Sequence, residues 1–278
     1  MLAIMLLLIA GGIGLAQAVS DPKQVTLRWL RLGGIIAVTL IAIAWFVPMP
    51  STALPDIDQR YRALRLVIGL AALLAVGQLM LVQLGKMRLQ QWASLIVTAV
   101  CVTAATYHVA ALILEEPHRA GIQALAAGLF GAWAIVCVGT FVSMTAAAGL
   151  TGGFLMTMLL GHAYLTAGSE MTQKPFARLV KVLAGLLVLR AAVSLVCGLW
   201  PYWSLDVPRS QQMWNTMMIT ARYGVGLLVP AVFTYMIWDC VKRRSNQSAT
   251  GILYVATVLV MIGEGIALGL IDATGVVF

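Results

Sequence analysis

Long apolar stretches run through most of this chain and are separated by short polar segments. A helix that crosses a bilayer needs about 20 mainly apolar residues, and this criterion selects nine candidate spans. They are residues 2–19, 34–49, 64–84, 92–114, 121–147, 150–167, 177–200, 213–239 and 248–276. Because an odd number of crossings separates the chain ends, nine spans predict that the two termini lie on opposite faces of the membrane.

The glycine-rich segment AAAGLTGG, residues 146–153, decides the number of spans. If it forms a tight turn, it separates the fifth span from the sixth. If the helix continues through it, the chain has eight spans and every later segment changes side.

Composition sets the class of protein. The chain is 61% hydrophobic and 10% charged, with a mean hydropathy of +0.95. A soluble domain cannot hide that much apolar surface, whereas a membrane protein presents it to lipid. The sequence therefore predicts an all-α polytopic transmembrane helix bundle, one integral membrane domain over residues 1–278 with no soluble domain.

The basic residues lie mainly in short loops, where they contact lipid head groups and set orientation. The net charge of +8 therefore indicates contact with the lipid bilayer and not with nucleic acid. With nine spans, the loop charges favour a cytoplasmic N-terminus, although Lys23, Arg28 and Arg31 in the first loop oppose it. The expected location is the inner (cytoplasmic) membrane of a bacterium.

The N-terminal segment MLAIMLLLIAGGIGLAQAVSD has an apolar core followed by AQA, which resembles a cleavage site. No basic residue precedes Lys23, so the positive region of a signal peptide is missing. The segment is therefore interpreted as the first transmembrane helix. The four cysteines, Cys101, Cys137, Cys197 and Cys240, form no CxxC pair and are expected to be free thiols.

Five ionisable residues stand inside the predicted spans. An ionisable group in hydrocarbon costs several kcal/mol unless it is paired or hydrated, so each is a candidate functional residue. They are His108, His162, Arg190, Arg222 and Glu264. Their depths divide them into a histidine pair and an Arg–Glu group.

The two histidines are predicted to lie at one depth. His108 is about 9–10 Å from the C-terminal end of span four, and His162 is about 7–8 Å from that of span six. Spans four and six run in the same direction in a nine-span topology. Matched imidazoles are the minimum requirement for ligating the iron of haem b, and they also suit a quinone pocket or a proton relay. Bonding between helices is the alternative without a cofactor.

His162 is expected to face the bundle interior, because a lipid-facing imidazole leaves its polar atoms unsatisfied. Tyr164, two residues further on, suits the wall of the same pocket.

The second group lies in the other half of the bilayer. Arg190, Arg222 and Glu264 fall on three consecutive spans at similar predicted depth, so Glu264 is expected within ion-pair distance of one of the arginines. A packing clamp, an anion site, a quinone site and a solute pathway all remain open for this group. Pro230, about two turns after Arg222, is expected to kink its helix. Gly263, Gly265 and Gly269 around Glu264 leave room for close helix approach or for a planar ligand, and close approach is the preferred use.

No Walker motif, dinucleotide fingerprint, HExxH or nucleophile elbow is present, which argues against hydrolytic or nucleotide-driven chemistry. With its intramembrane histidines and short loops, the chain resembles the multi-pass anchors of respiratory complexes that bind haem b or quinone. That resemblance implies a subunit that contacts other subunits of a membrane complex and passes electrons to quinone. The rivals are a transporter or channel, which paired broken helices would favour, and a structural scaffold.

Overall fold

A computed structural model describes residues 1–47, 55–115, 132–167, 172–199, 202–203 and 209–278. All regular structure in these ranges is helical. The helices are α1 (Leu2–Val19), α2 (Leu27–Phe46), α3 (Pro55–Gln83), α4 (Met87–Glu115), α5 (Ala132–Ala167), α6 (Lys174–Val193), α7 (Arg209–Tyr223), α8 (Val229–Lys242) and α9 (Asn246–Thr274).

Two π-helical segments interrupt this pattern. The first, Ser194–Leu199, continues α6, and the second, Gly224–Leu228, joins α7 to α8. Counting α7 and α8 as one span, the described ranges contain eight helical stretches long and apolar enough to cross a membrane. The predicted all-α transmembrane bundle is confirmed.

Helix α1 lies at the centre of one half of the bundle, between α2, α4 and α5. Its glycines explain this position, since small residues let helix backbones approach closely. A Cβ atom on Gly12 would overlap the carbonyl of Ala148 and lie 2.8 Å from the Gly152 nitrogen. On the neighbouring side, Thr98 of α4 donates to the Gly11 carbonyl at 2.9 Å.

The AAAGLTGG segment does not turn. It lies in the middle of α5, a single 36-residue helix, so the prediction of two spans at this place is wrong. Gly152 is used for contact with α1 and not for a bend. Thr151 donates to the Ala147 carbonyl at 2.9 Å within the helix, which leaves its hydroxyl satisfied in an apolar surrounding.

Both chain ends lie at the same end of the bundle, which we call the terminal end. Ile4, Met144 and Ile271 belong to one buried cluster there. At the other end, which we call the loop end, the last turns of α5 pack against the first turns of α9. A Cβ atom on Gly161 would lie 2.6 Å from Thr250 Oγ1 there. The prediction of termini on opposite faces is wrong because it depended on the turn within α5.

The loop end carries most of the basic residues. Eleven of the 18 lysines and arginines lie in its loops or near the adjoining helix ends: Lys23, Arg28, Arg31, Lys86, Arg88, Lys174, Arg178, Lys181, Lys242, Arg243 and Arg244. The first-loop residues that opposed the expected orientation lie on the same side as the others. The positive-inside rule now favours a cytoplasmic loop end, the reverse of the orientation expected from nine spans.

Candidate functional site

Three helices each contribute one charged side chain to a cluster inside the bundle, which we call the Arg–Glu cluster (Arg190, Arg222 and Glu264). Arg190 lies on α6, Arg222 near the end of α7, and Glu264 on α9. Glu264 is about 27 Å along α9 from its first residue and about 15 Å from its last. The cluster is therefore deep in the membrane-spanning part of the bundle.

Glu264 accepts hydrogen bonds from both guanidinium groups. Arg190 Nη2 lies 2.7 Å from Glu264 Oε2, and Arg190 Nε lies 3.1 and 3.2 Å from the two carboxylate oxygens. Arg222 Nη2 lies 3.0 Å from Glu264 Oε1. The predicted ion pair is confirmed, with both arginines bound to the same carboxylate.

The cluster is shielded from the surroundings of the bundle. Arg190 and Glu264 are each 1% exposed and Arg222 is 0% exposed. Helix α5 closes one side, where Ser143 Oγ accepts a hydrogen bond from Arg190 Nη1. Each of the three guanidinium nitrogens of Arg190 therefore has a partner.

Arg222 differs from Arg190 in this respect. Its Nε and Nη1 atoms are buried and have no hydrogen-bond partner in the described part of the chain. With two guanidiniums and one carboxylate, the cluster carries one excess positive charge. A buried charge without a counter-ion, and donors without acceptors, cost several kcal/mol. The cluster is therefore an electropositive site whose surplus donors all belong to Arg222.

Both arginine-bearing helices change to π-helical geometry beside the cluster. The first π segment begins four residues after Arg190 and the second begins two residues after Arg222. In the second, the Val229 N–H bonds the Gly224 carbonyl, five residues back. Pro230 contributes no N–H to the carbonyl of Gly226, and the helix has the wider turns of a π segment at this place.

Glycines hold the second π segment against α9. A Cβ atom on Gly226 would lie 2.6 Å from the Cα atom of Gly263 and 3.3 Å from Arg222 Nη1. The expected close helix approach is confirmed at Gly263, whereas a Cβ atom on Gly265 or Gly269 would meet no atom within 4 Å. Because the backbones touch here, the Arg222 side chain lies beside Glu264.

Tyr223 and Ser194 join the two π segments. The Tyr223 hydroxyl donates to the Ser194 carbonyl at 2.8 Å, and Ser194 Oγ lies 3.1 Å from the Tyr223 oxygen. The two interrupted helices are thus tied together at the level of the cluster.

A side-open groove of about 900 Å³ runs between α6 and α7–α8, and we call it the lateral groove. Tyr223 and Ala191 lie along it, next in sequence to the cluster arginines. Its loop end is formed by Lys181 and Trp238, and the remaining wall is mainly apolar. The Lys181 ammonium lies 5.2 Å from the centroid of the Trp238 ring.

The two histidines lie toward opposite ends of the bundle. Cys101 of α4 and Gly152 of α5 both pack against residues 11–12 of α1, so they mark one level. His108 is about 10 Å from that level toward the terminal end, and His162 is about 15 Å from it toward the loop end. A separation of about 25 Å along the bundle axis prevents one haem iron from binding both imidazoles. The predicted depth match is wrong because α5 does not turn.

The surroundings of each histidine also differ from the prediction. His162 is exposed on α5, so the expectation that it faces the interior is wrong. His108 is half-buried, with its ring centroid 5.9 Å from that of Tyr61. His118, the remaining histidine of the chain, lies outside the described residues.

Tyr164 is buried, and its contacts are with residues of this chain near the start of α6. Its hydroxyl donates to the Thr172 carbonyl at 2.5 Å, and its ring stacks on Phe176 at 5.4 Å between centroids. The side chain therefore links the end of α5 to the start of α6, and its hydroxyl is already used in that contact.

A buried polar network near the loop end was missed by the sequence analysis. The side-chain amides of Gln78 and Gln90 both donate to Gln17 Oε1 of α1, at 2.5 and 3.3 Å. The same two amides donate to Ser94 Oγ of α4, each at 2.8 Å. All four residues are at most 1% exposed. Neutral amides inside apolar spans were the available signal, and only ionisable residues were considered.

Cysteine chemistry and metal ligands add little to the site. Cys101, Cys197 and Cys240 are free thiols, as predicted, and the side chain of Cys137 lies outside the described residues. Within the described ranges, no three histidine, cysteine, aspartate or glutamate side chains are grouped to hold a metal ion.

Comparison with protein-family models, with curated proteins and with solved structures finds no match to this chain.

Proposed function

We propose that this chain is a multi-pass membrane transporter that binds a small inorganic anion at Arg222. The observation that carries the proposal is the pair of buried Arg222 atoms, Nε and Nη1, that lack acceptors. An anion there would neutralise the excess charge of the cluster and accept hydrogen bonds from the free N–H groups. Arginine suits this task because its guanidinium stays charged throughout turnover.

The two interrupted helices support transport over static binding. Paired broken helices are typical of transporters, where irregular backbone lines the substrate site near the bilayer midplane. Here the π segments flank Arg190 and Arg222. Because the cluster is at most 1% exposed, the anion reaches it only in a second conformation, and the π segments with their Tyr223–Ser194 link are where the helices would rearrange.

The other candidate functions have less support. A helix clamp needs one arginine for Glu264 and leaves the surplus donors of Arg222 unexplained. A redox subunit that passes electrons through haem b would need another ligand pair, since His108 and His162 lie about 25 Å apart along the axis. A quinone-binding subunit keeps only the lateral groove in its favour.

Anion flux into liposomes tests the proposal. The purified protein is reconstituted with chloride or nitrate on one side, and uptake is driven by a potassium diffusion potential with valinomycin. We expect flux from the wild type, at least tenfold less from Arg222→Gln, and an intermediate value from Arg222→Lys, whose single ammonium cannot serve both Glu264 and an anion.

Arg244→Gln is the matched control, because it removes one positive charge from an exposed loop-end residue. It should transport like the wild type. Flux from folded Arg222→Gln equal to the wild type, or no flux of either anion from the wild type, would contradict the proposal.

A further inference from the structure

We propose that the lateral groove is a binding site for an anionic phospholipid, with the phosphate between Lys181 and Lys242 and one acyl chain along the groove. This site is separate from the Arg–Glu cluster and does not depend on the transport proposal. The charge at one end of the groove, the chemistry of its wall and its length all suit such a lipid.

The loop end of the groove is a basic site built around one indole. Lys181 of α6 and Lys242 of α8 lie 5.2 and 5.1 Å from the centroid of the Trp238 ring. The nearest acidic group along α8, Asp239, pairs with Arg243 at 2.9 Å. Two ammonium groups therefore lie close to one indole ring, and their positive charge favours an anionic ligand with several oxygen acceptors.

The wall of the groove suits a hydrocarbon chain. Three of its four hydroxyls are already used, two of them by carbonyls of their own helix: Thr220 donates to the Thr216 carbonyl at 2.8 Å and Thr234 to the Pro230 carbonyl at 2.7 Å. The Tyr223 hydroxyl donates to Ser194, as described above. The fourth hydroxyl belongs to Tyr235 of α8, one turn from Trp238 at the basic end of the groove. The rest of the wall offers polar acceptors no free hydroxyl donor, whereas a methylene chain needs none.

The length and position of the groove match an acyl chain. Along α6 it extends from Lys181 to Leu195, which is about 21 Å. That is more than half of the roughly 30 Å hydrocarbon core of a bilayer. The basic end lies at the loop end of the bundle, where Trp238 and the lysines suit the head-group region. Basic pockets between transmembrane helices commonly bind anionic head groups.

Lipid titration followed by native mass spectrometry tests the proposal. The delipidated protein in detergent is titrated with phosphatidylglycerol and with phosphatidylcholine that carry the same acyl chains. We expect saturable binding of one phosphatidylglycerol at much lower concentration than phosphatidylcholine. The Lys181→Gln/Lys242→Gln variant should bind phosphatidylglycerol roughly 30-fold more weakly.

Two further variants separate the head-group site from general charge and from the groove. Lys86→Gln/Arg88→Gln removes two exposed basic residues at the same end of the bundle and should bind like the wild type. Ala231→Trp, which fills the groove from α8, should weaken phosphatidylglycerol binding at least tenfold. The unfolding temperature of each variant reports whether it is folded.

Equal affinity for the two lipids, or equal loss in the Lys86→Gln/Arg88→Gln control, would overturn the proposal. Displacement of phosphatidylglycerol by decylubiquinone with unchanged affinity in Lys181→Gln/Lys242→Gln would assign the groove to a quinone and also overturn it. Because the readout is lipid binding, failure here leaves anion flux through Arg222 unaffected, and the two proposals fail separately.

Discussion

Glu264→Gln and Arg222→Gln should destabilise the bundle by different amounts. Each substitution removes one charge from the Arg–Glu cluster and keeps a side chain of similar size or smaller. The first leaves two guanidiniums without a carboxylate, a net charge of +2. The second leaves Arg190 with Glu264, joined by hydrogen bonds at 2.7, 3.1 and 3.2 Å, and a net charge of zero.

The magnitudes follow from burial and charge balance. Removing one partner of a buried ion pair costs about 3–5 kcal/mol because the remaining charge is uncompensated. Glu264→Gln strands two charges at 1% and 0% exposure, so we expect at least that range. Arg222→Gln loses one charged hydrogen bond to Glu264, about 1.5–3 kcal/mol, and also removes two buried nitrogens without partners, which offsets part of the loss.

Thermal unfolding in detergent, followed by circular dichroism, measures the difference. Asp239→Asn is the control, because it breaks an ion pair with Arg243 that is 48% and 75% exposed and should cost about 0–1 kcal/mol. The expected order of unfolding temperatures is Asp239→Asn highest, then Arg222→Gln, then Glu264→Gln. Arg222→Gln below Glu264→Gln would refute the assignment of the surplus charge to Arg222.

Other predictions concern the bundle itself. Reporters fused to the two termini should both report the non-cytoplasmic side, since the loop end is basic; a cytoplasmic signal from either would contradict the topology. Gly12→Ala should markedly lower the unfolding temperature because its Cβ atom overlaps α5, whereas Gly77→Ala, with no atom within 4 Å of the added Cβ, should leave it equal or slightly raised. Gln17→Met should cost about 2–4 kcal/mol by stranding the buried amides that donate to it, and an unchanged midpoint would argue against the network. Unfolding effects of His108→Ala and His162→Ala should add within about 0.5 kcal/mol, and a larger coupling in the double variant would contradict their separation.

The length of the apolar stretches predicted the fold class correctly. The segment of residues 146–153 was predicted to turn, and this error put the later helices in the wrong direction across the membrane. The sequence criterion for a span registers apolar residues, and residues 121–147 and 150–167 each satisfied it. Glycines in that segment suit a turn and suit close packing equally well. In the structure these glycines are used for packing, because Gly152 contacts Gly12 of α1. A contact between residues so far apart in the chain has no local sequence signal.

The same error explains why one pair of residues was predicted correctly and the other was not. Arg190, Arg222 and Glu264 all follow α5, so changing their side of the membrane together preserved their relation to one another. His108 precedes the segment and His162 follows it, so their predicted depth match was lost. Relative depths within one uninterrupted part of the chain were therefore predictable, and depths across the doubtful segment were not.

The groove and the polar amide network depend on side-chain positions that periodicity does not reveal. Lys181 and Lys242 are 61 residues apart in sequence, and both lie beside the Trp238 ring because α6 and α8 pack together. In the sequence Trp238 is one more interfacial aromatic residue. Pro230 was the one local signal for the irregular helix beside Arg222, and the structure shows a π segment at that place.

The location of a bound anion tests the central claim most directly. A crystal structure of the protein grown in bromide, with anomalous data collected at the bromine edge, identifies the ion without ambiguity. Bromide within hydrogen-bond distance of Arg222 Nε or Nη1, and lost in Arg222→Gln, is the predicted result. An ordered Arg–Glu cluster in which a protein acceptor binds those two nitrogens, with no bromide beside them, would contradict the account.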